Sequence, residues 1–425
     1  THMTATIARR LAKFGINCIR LHHMDRHWPR GVLKRSPYDE EDRTRRSTRA
    51  LDPEAMARLD YLIACCREQG IYIDLNLNVS RQFSKADGVK QAEWIGYGKG
   101  LTYFDPTLIK LQKEYAAQLL NHVNPFTKNR YAEEPAIAIV EMVNENSLLA
   151  SWVAGRLRGE QTEPSGTWSD IPSSYAEDLD RRWNAWLAGR YDNREALLAA
   201  WDGDLKDFED PRRGSVRRLV PDEFNAASEQ RFQDEASFYA EIESEFYRDM
   251  ASYLRGKLGA KQLLLGTSDH NHRWSALPLI ENNTLLDIID GHVYWQHPRF
   301  PNEPWSDSDW YIENSPMVDD PDGSAPAQLA RTRVSGKPYI VSELNAPFPN
   351  DYAAEFIPVV AAYGLLQDWD GLFWFAYGGG SSEEDWTHGS IKSYFSMAND
   401  PVKMTETAIG ALMFLRGDVR VAEQM

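Results

Sequence analysis

The chain has 425 residues, 42% of them hydrophobic and 26% charged, which is enough apolar material for a large core and too much for a disordered chain. Its 63 acidic residues against 47 basic ones give a formal net charge of −16, which argues against nucleic acid or an anionic membrane as a partner. No apolar run approaches a membrane span. The three cysteines, Cys18, Cys65 and Cys66, show neither metal-ligand spacing nor a disulfide framework, so buried free thiols are expected.

The opening Thr1-His2-Met3 reads as a cloning remnant, so the lack of a leader says nothing about compartment. Ile7, Leu11 and Phe14 have helical spacing that stops at Gly15, and Asn17–His23 is the first strand. Asp52-Pro53 is an N-cap followed by a first-turn proline, opening a helix to about Gln69. Strand Ile71–Leu77, a helix near Pro106–His122 and strand Ile137–Val143 follow. The pattern resumes with strands in Gln262–Thr267, Ile288–Tyr294 and Pro338–Glu343, helix Asp351–Gln367, strand Gly371–Tyr377 and closing helix Pro401–Arg416. Such alternation predicts parallel βα units and an α/β fold, a (β/α)8 barrel forming one catalytic domain over 1–425. Seven strands are visible; the first of eight would precede Thr4 and is missing or atypical in the sequence given. A doubly wound open sheet is the alternative, but no glycine-rich phosphate turn follows an early strand.

Residues 150–225 are more than one crossover needs and are expected as an insertion at the carboxyl face after strand 4. The insertion carries Trp183, Trp186 and Trp201. The amphipathic stretch Ser228–Lys257 is then the barrel helix proper. The insertion and the long loops Trp28–Asp52 and His297–Ser324 suggest a walled pocket. Most of the 14 tryptophans are expected to be structural, although indoles in a cleft stack on sugar rings.

The chemistry lies at the strand ends. Ile137–Val143 delivers Asn144-Glu145, and a second apolar strand delivers Glu343 about 200 residues later. In a parallel barrel these ends meet on one face, together with Arg20, His22, His23, Asn76, Asn78, Asp269, His270, His292, Tyr294, Trp295 and Trp374. Paired carboxylates about 5–5.5 Å apart suit retaining glycoside hydrolysis, one protonating the leaving oxygen and the other attacking the anomeric carbon. Arg20 and the Tyr294 hydroxyl are expected to keep Glu343 ionised, and its charge to raise the pKa of Glu145. Asn144 would bond the sugar 2-hydroxyl, and His22, His23 and His292 would orient these groups or bind hydroxyls. Glu141 reads as a buried structural carboxylate paired with a neighbouring strand. Asp269-His270-Asn-His272 hints at a metal site, but the His-x-His on a first strand and the bridging group that such sites need are absent, so sugar-binding or structural histidines are expected. Ser381–Asp385, near Trp386, reads as solvated loop.

Arg20 in Cys-Ile-Arg-Leu-His-His-Met, the pair Asn144-Glu145, His292-Val-Tyr294, Glu343 and Trp374 together resemble clan A of the glycoside hydrolases, nearest to the cellulase-like family 5. The resemblance implies Glu145 as acid/base, Glu343 as nucleophile and Trp374 as the floor of the −1 subsite. It also implies a carbohydrate as partner, neither metal nor organic cofactor, and a periplasmic or secreted location. The chain departs from family 5 at Asn76 and Asn78, where a His is often found, and at Asn146, where Pro is common. The insertion is more similar to a segment of the β-galactosidase-like family 42. The expected function is retaining hydrolysis of a β-linked oligo- or polysaccharide by double displacement, exo rather than endo. An inverting glycosidase and a catalytically inactive glycan-binding barrel are the rival readings. Oligomeric state is not legible.

Overall fold

The computed structural model describes residues 2–35, 45–161, 170–268, 276–306, 308–378, 389–391 and 393–423. Parallel strands alternate with helices along the chain: α1 His2–Lys13, β1 Cys18–Leu21, α2 Pro53–Glu68, β2 Tyr72–Asn78, α3 Pro106–Leu120 and β3 Ile137–Val143. The insertion follows as α4 Leu148–Val153, α5 Ser173–Arg190 and α6 Arg194–Ala200. The chain then returns through α7 Glu229–Ser252, β4 Leu263–Leu265, α8 Ala276–Asn283, β5 Ile289–Tyr294, α9 Ala325–Ala330, β6 Tyr339–Asn345, α10 Ala353–Leu366, β7 Gly371–Trp374 and α11 Pro401–Arg416. Among the described residues no helix is long and apolar enough to cross a membrane.

The strands form two parallel sheets, β1-β2-β3-β4 and β5-β6-β7, linked by a single parallel bridge between Leu265 and Ile288. β1 and β7 come near one another, but among the described residues no hydrogen-bonded ladder joins them, so the barrel is open at that seam. An apolar groove runs along it, lined by Leu11, Ile19, Leu372, Trp374 and Met404. The architecture is therefore the expected α/β barrel, with seven strands in the described residues and no ladder closing it.

Local chemistry explains where helices start. Asp52, Asp105 and Asp400 each precede a proline and accept hydrogen bonds from the first-turn amides of α2, α3 and α11. Each such cap stabilises its helix by about 1 kcal/mol. Inside the barrel, Ile139, Leu265, Ile288 and Ile340 pack with Phe373 into an apolar plug below the strand ends. Outside it, the strands' other faces join the helices in the main core. The three cysteines are free, with Cys65 and Cys66 buried and Cys18 half-buried.

The tryptophans of the insertion extend the main core. Trp183, 0% exposed, stacks on Trp186 and Trp201 at centroid distances of 5.5 and 6.2 Å, while Trp152 packs on Phe224, Phe232 and Tyr239. Helices α4, α8 and α9, each of eight residues or fewer, are additions to the sequence-based reading. Asp269, His270, His272, Ser381–Asp385 and Trp386 lie outside the described residues.

Candidate active site

Above the apolar plug, alternation along the strands places a polar layer in the lumen. Arg20 on β1 lies at its centre. Its Nε and Nη2 donate to the two oxygens of Glu141 at 2.7 Å, its Nη1 to Glu343 Oε1 at 2.5 Å, and its Nη2 also to Asn144 Oδ1 at 2.7 Å. Glu141 is thus the structural carboxylate expected; it also accepts from Asn76 Nδ2 at 2.6 Å. The other end of Asn76 accepts from His22 Nδ1 at 2.8 Å. Burial, and after it the Arg20 charge, drives the His22 pKa down to about 3, so the ring is neutral and its Nδ1–H is the donor. Burial likewise lowers His23 to about 2.

A bulge aims Glu343. β5 pairs with β6 as Gly291 with Val341 and then His292 with Glu343, so Ser342 is one residue extra in β6. Simple alternation would send Ser342 and Glu343 to opposite faces; the extra residue lets both serve the lumen. Glu343 Oε2 accepts the Tyr294 hydroxyl at 2.6 Å. Burial favours its neutral form, but the charges of His292 and Arg20, with the Tyr294 bond, hold Glu343 well below the carboxylate range.

His292 stands between the two glutamates. Its Nδ1 is 3.0 Å from Glu145 Oε1 and 3.7 Å from Glu343 Oε2. Its Nε2 is 2.8 Å from Ser342 Oγ, which donates to Asp290 Oδ2 at 2.5 Å. Because the hydroxyl proton goes to Asp290, His292 Nε2 carries a hydrogen and donates to Ser342. Burial opposes a charge on the ring, but Glu343 and Asp290 raise its pKa well above the ordinary value. The Glu145 pKa departs from expectation. Burial, the largest influence, and the charge of Glu343 do push it up, but the hydrogen bond from His292, the charge on that ring and the charge of Lys99 together outweigh them, and Glu145 sits below the ordinary carboxylate pKa.

Glu145 and Glu343 share a cavity of about 900 Å³ with His22, His23, Asn144, His292 and Tyr294. One oxygen of each glutamate and one nitrogen of His292 fall within 4.8 Å of one another. The side chain of Glu145 is 26% exposed and that of Glu343 6%, so one carboxylate faces the opening and the other is sunk in the wall. Among the described residues this trio is the group whose spacing would admit a metal ion. Arg20 and Tyr294 already occupy the two oxygens of Glu343.

Arg20 and Asn76 stand behind the cavity wall rather than on it. Two other expected residues are not brought to the site. Trp295 is buried in the outer core, its Nε1 donating to Ser315 at 2.9 Å. Trp374 faces the helix layer, edge-on to Phe356, because Phe373 and Phe375 occupy the lumen side of β7 and its extension. Phe375 is the ring in the cavity, edge-on to His22 and Tyr294. Sequence reasoning passed over it, although period-two counting from Phe373 identifies it. It also passed over Tyr97, Lys99, His297, Trp305, Tyr394 and Phe395, which complete the walls from loops. No residue from the Trp28–Asp52 loop or the insertion lines the cavity among the described residues.

No protein-family model and no curated protein matches the sequence. Solved structures do. A β-galactosidase from Rahnella sp. R3 is similar at a TM-score of 0.61 and 14% identity, over 97% of this chain and 53% of that one. The endo-1,4-β-mannanase of Rhizomucor miehei is similar at 0.53 and 13%, over 97% and 90%. The endo-β-1,4-mannanase of Thermotoga petrophila gives 0.51 and 16%, over 98% and 74%. At these identities the likeness defines the fold: this chain has the α/β barrel architecture of those glycosidases.

Proposed function

We propose that this chain is a retaining β-glycoside hydrolase, with Glu343 as nucleophile and Glu145 as acid/base. The observation that carries the reading is the pair itself: two carboxylates in one sugar-sized cavity, one oxygen of each within 4.8 Å of the other, in unequal surroundings. Glu343, held ionised by Arg20, Tyr294 and His292, attacks the anomeric carbon. The glycosidic C–O bond breaks as Glu145 protonates the departing oxygen, leaving a glycosyl ester on Glu343. Glu145 then takes a proton from a water that cleaves this ester, which frees the Glu343 carboxylate and returns to Glu145 the proton it gave up.

The proton for the first step is shared between Glu145 and His292 Nδ1. A sugar that displaces water from the 26% exposed Glu145 raises its proton affinity, which moves that proton onto the carboxyl as the leaving group arrives. Arg20 engages Asn144 through Oδ1, so the Nδ2 end of that amide is the part offered to a sugar hydroxyl.

The ring-rich walls from Tyr97, His297, Trp305 and Tyr394 support a closed pocket and exo cleavage. The structural neighbours are named as mannanases and a β-galactosidase, so β-mannosides and β-galactosides head the substrate panel. The test is hydrolysis of aryl β-glycosides by the wild type, Glu145→Ala and Glu343→Ala, with the first product anomer followed by NMR. Activity that falls in both variants, with retained configuration, is expected. Equal, negligible rates in all three proteins would favour a glycan-binding barrel, and inverted product would replace the double displacement by a single one.

A further inference from the structure

We infer that Lys99 is a positioning residue for Glu145, holding the backbone of the acid/base in a left-handed conformation through its main-chain carbonyl. The inference rests on the proposed role of Glu145.

Glu145 has φ +41°, a region that side chains other than glycine, asparagine and aspartate seldom occupy. Such a backbone persists only where its surroundings hold it, and the usual cost is about 1–3 kcal/mol. Most of the hold comes from one loop. Lys99 Nζ donates to the Glu145 carbonyl oxygen at 2.6 Å. The next residues of that loop grip Asn146: Gly100 N donates to its Oδ1 at 2.8 Å, Thr102 Oγ1 accepts from its Nδ2 at 2.7 Å, and the Tyr103 hydroxyl donates to its carbonyl. On the far side Asn146 N donates to Thr267 Oγ1 at 3.1 Å.

The loop sequence suits this task. In Gly96-Tyr97-Gly98-Lys99-Gly100 every glycine has positive φ, at 54°, 67° and 80°, so the chain folds sharply and presents Tyr97 and Lys99 to the cavity. An added Cβ at Gly100 would come within 3.2 Å of Ser151 Oγ. Four hydrogen bonds to Asn146 and the Lys99 bond to Glu145 together fix this stretch of backbone. Lys99 acts by keeping the Glu145 carboxyl aimed at the leaving oxygen and its own charge near that carboxyl.

Positioning predicts a loss confined to the step that needs the acid. In Lys99→Met, kcat/KM for an ethyl β-glycoside should fall about tenfold or more, part of the ~10²–10⁴-fold that general acid catalysis supplies. The 2,4-dinitrophenyl glycoside of the same sugar, whose leaving group needs no proton, should stay within about threefold. The alkaline limb of the pH profile should move upward, because a cation near Glu145 is gone, and Lys99→Arg should restore both readouts. Equal loss on the two substrates, or no loss on either, overturns the inference. If Lys99→Met does not fold, Thr102→Val is read by the same two rates, with selective loss expected and unselective loss overturning it. A wild type that cleaves no glycoside instead defeats the glycosidase reading, and this inference with it.

Discussion

Arg20 and Glu141 form a two-pronged ion pair inside the barrel, both nitrogen–oxygen distances 2.7 Å, at the level just below the two glutamates of the site. The pair fixes the guanidinium so that its remaining corner, Nη1, meets Glu343. Its purpose is orientation: buried ion pairs add little net stability, but losing one partner strands the other. Glu141→Gln should therefore destabilise the fold by about 3 kcal/mol in urea unfolding. It should also move the acid limb of the pH profile upward, since a loosened Arg20 no longer keeps Glu343 as strongly ionised. An unmoved acid limb would detach Arg20 from the tuning of Glu343.

The depressed pKa of Glu343 has its own signature. Because the group stays ionised below the ordinary carboxylate value of 4.5, kcat/KM should persist as pH falls through 4.5, as long as the fold survives. Profiles of initial rate, paired with circular dichroism at each pH, test this. An acid limb centred at or above 4.5 contradicts it.

The Asp290–Ser342–His292 chain predicts a shift at the other limb. Asp290→Asn removes a charge that favours the protonated ring, so the proton shared by His292 and Glu145 is lost more easily. The alkaline limb should move down, while rates on the acid side of the optimum change by less than about tenfold. Movement upward would mean the relay does not feed this pair.

Stability should also depend on pH through α7. Burial raises the Glu235 pKa to about 8. A carboxyl raised in the folded state binds its proton more tightly there than in the unfolded chain. Its contribution is complete below the unfolded pKa and fades as pH rises from 4.5 through about 8. Between pH 6 and 8 the wild type should lose about 2 kcal/mol relative to Glu235→Gln, measured by parallel urea titrations. Parallel curves would refute the assignment.

Trp183 separates scaffold from site. Fully buried between Trp186 and Trp201, it should cost about 3–5 kcal/mol when replaced by alanine, with KM unchanged in the folded fraction. A raised KM at unchanged stability would bring the insertion back to the substrate.

Much of this was legible in the sequence, for definite reasons. Apolar strands ending in Asn144-Glu145 and Glu343 announce themselves because a charge at a buried strand end is costly without a purpose. The Asp52-Pro53 step marked the start of α2, and helix Pro401–Arg416 matches its expected bounds. What escaped has equally physical causes. Trp374 and Phe375 differ by one residue, and one residue reverses the face of a strand. The bulge at Ser342 depends on register with β5, which no single segment encodes. The depressed pKa of Glu145 comes from a relay spanning β5 and β6, and Lys99 meets Glu145 through a backbone atom, so neither leaves a mark in side-chain patterns.

The unladdered seam has a consequence for the order in which the protein fails on heating. Arg20 springs from β1 and Phe375 from the end of β7, the two lips of that seam, and both reach inward to the neighbourhood of Glu343. A closed hoop would share any outward strain among all its strands, whereas a clasp yields where its ends meet. Thermal spreading should therefore part the Arg20 guanidinium from Glu343 while the tryptophan-packed insertion is still intact, so glycoside hydrolysis, followed on heating beside circular dichroism, is expected to fall some degrees before the molecule melts.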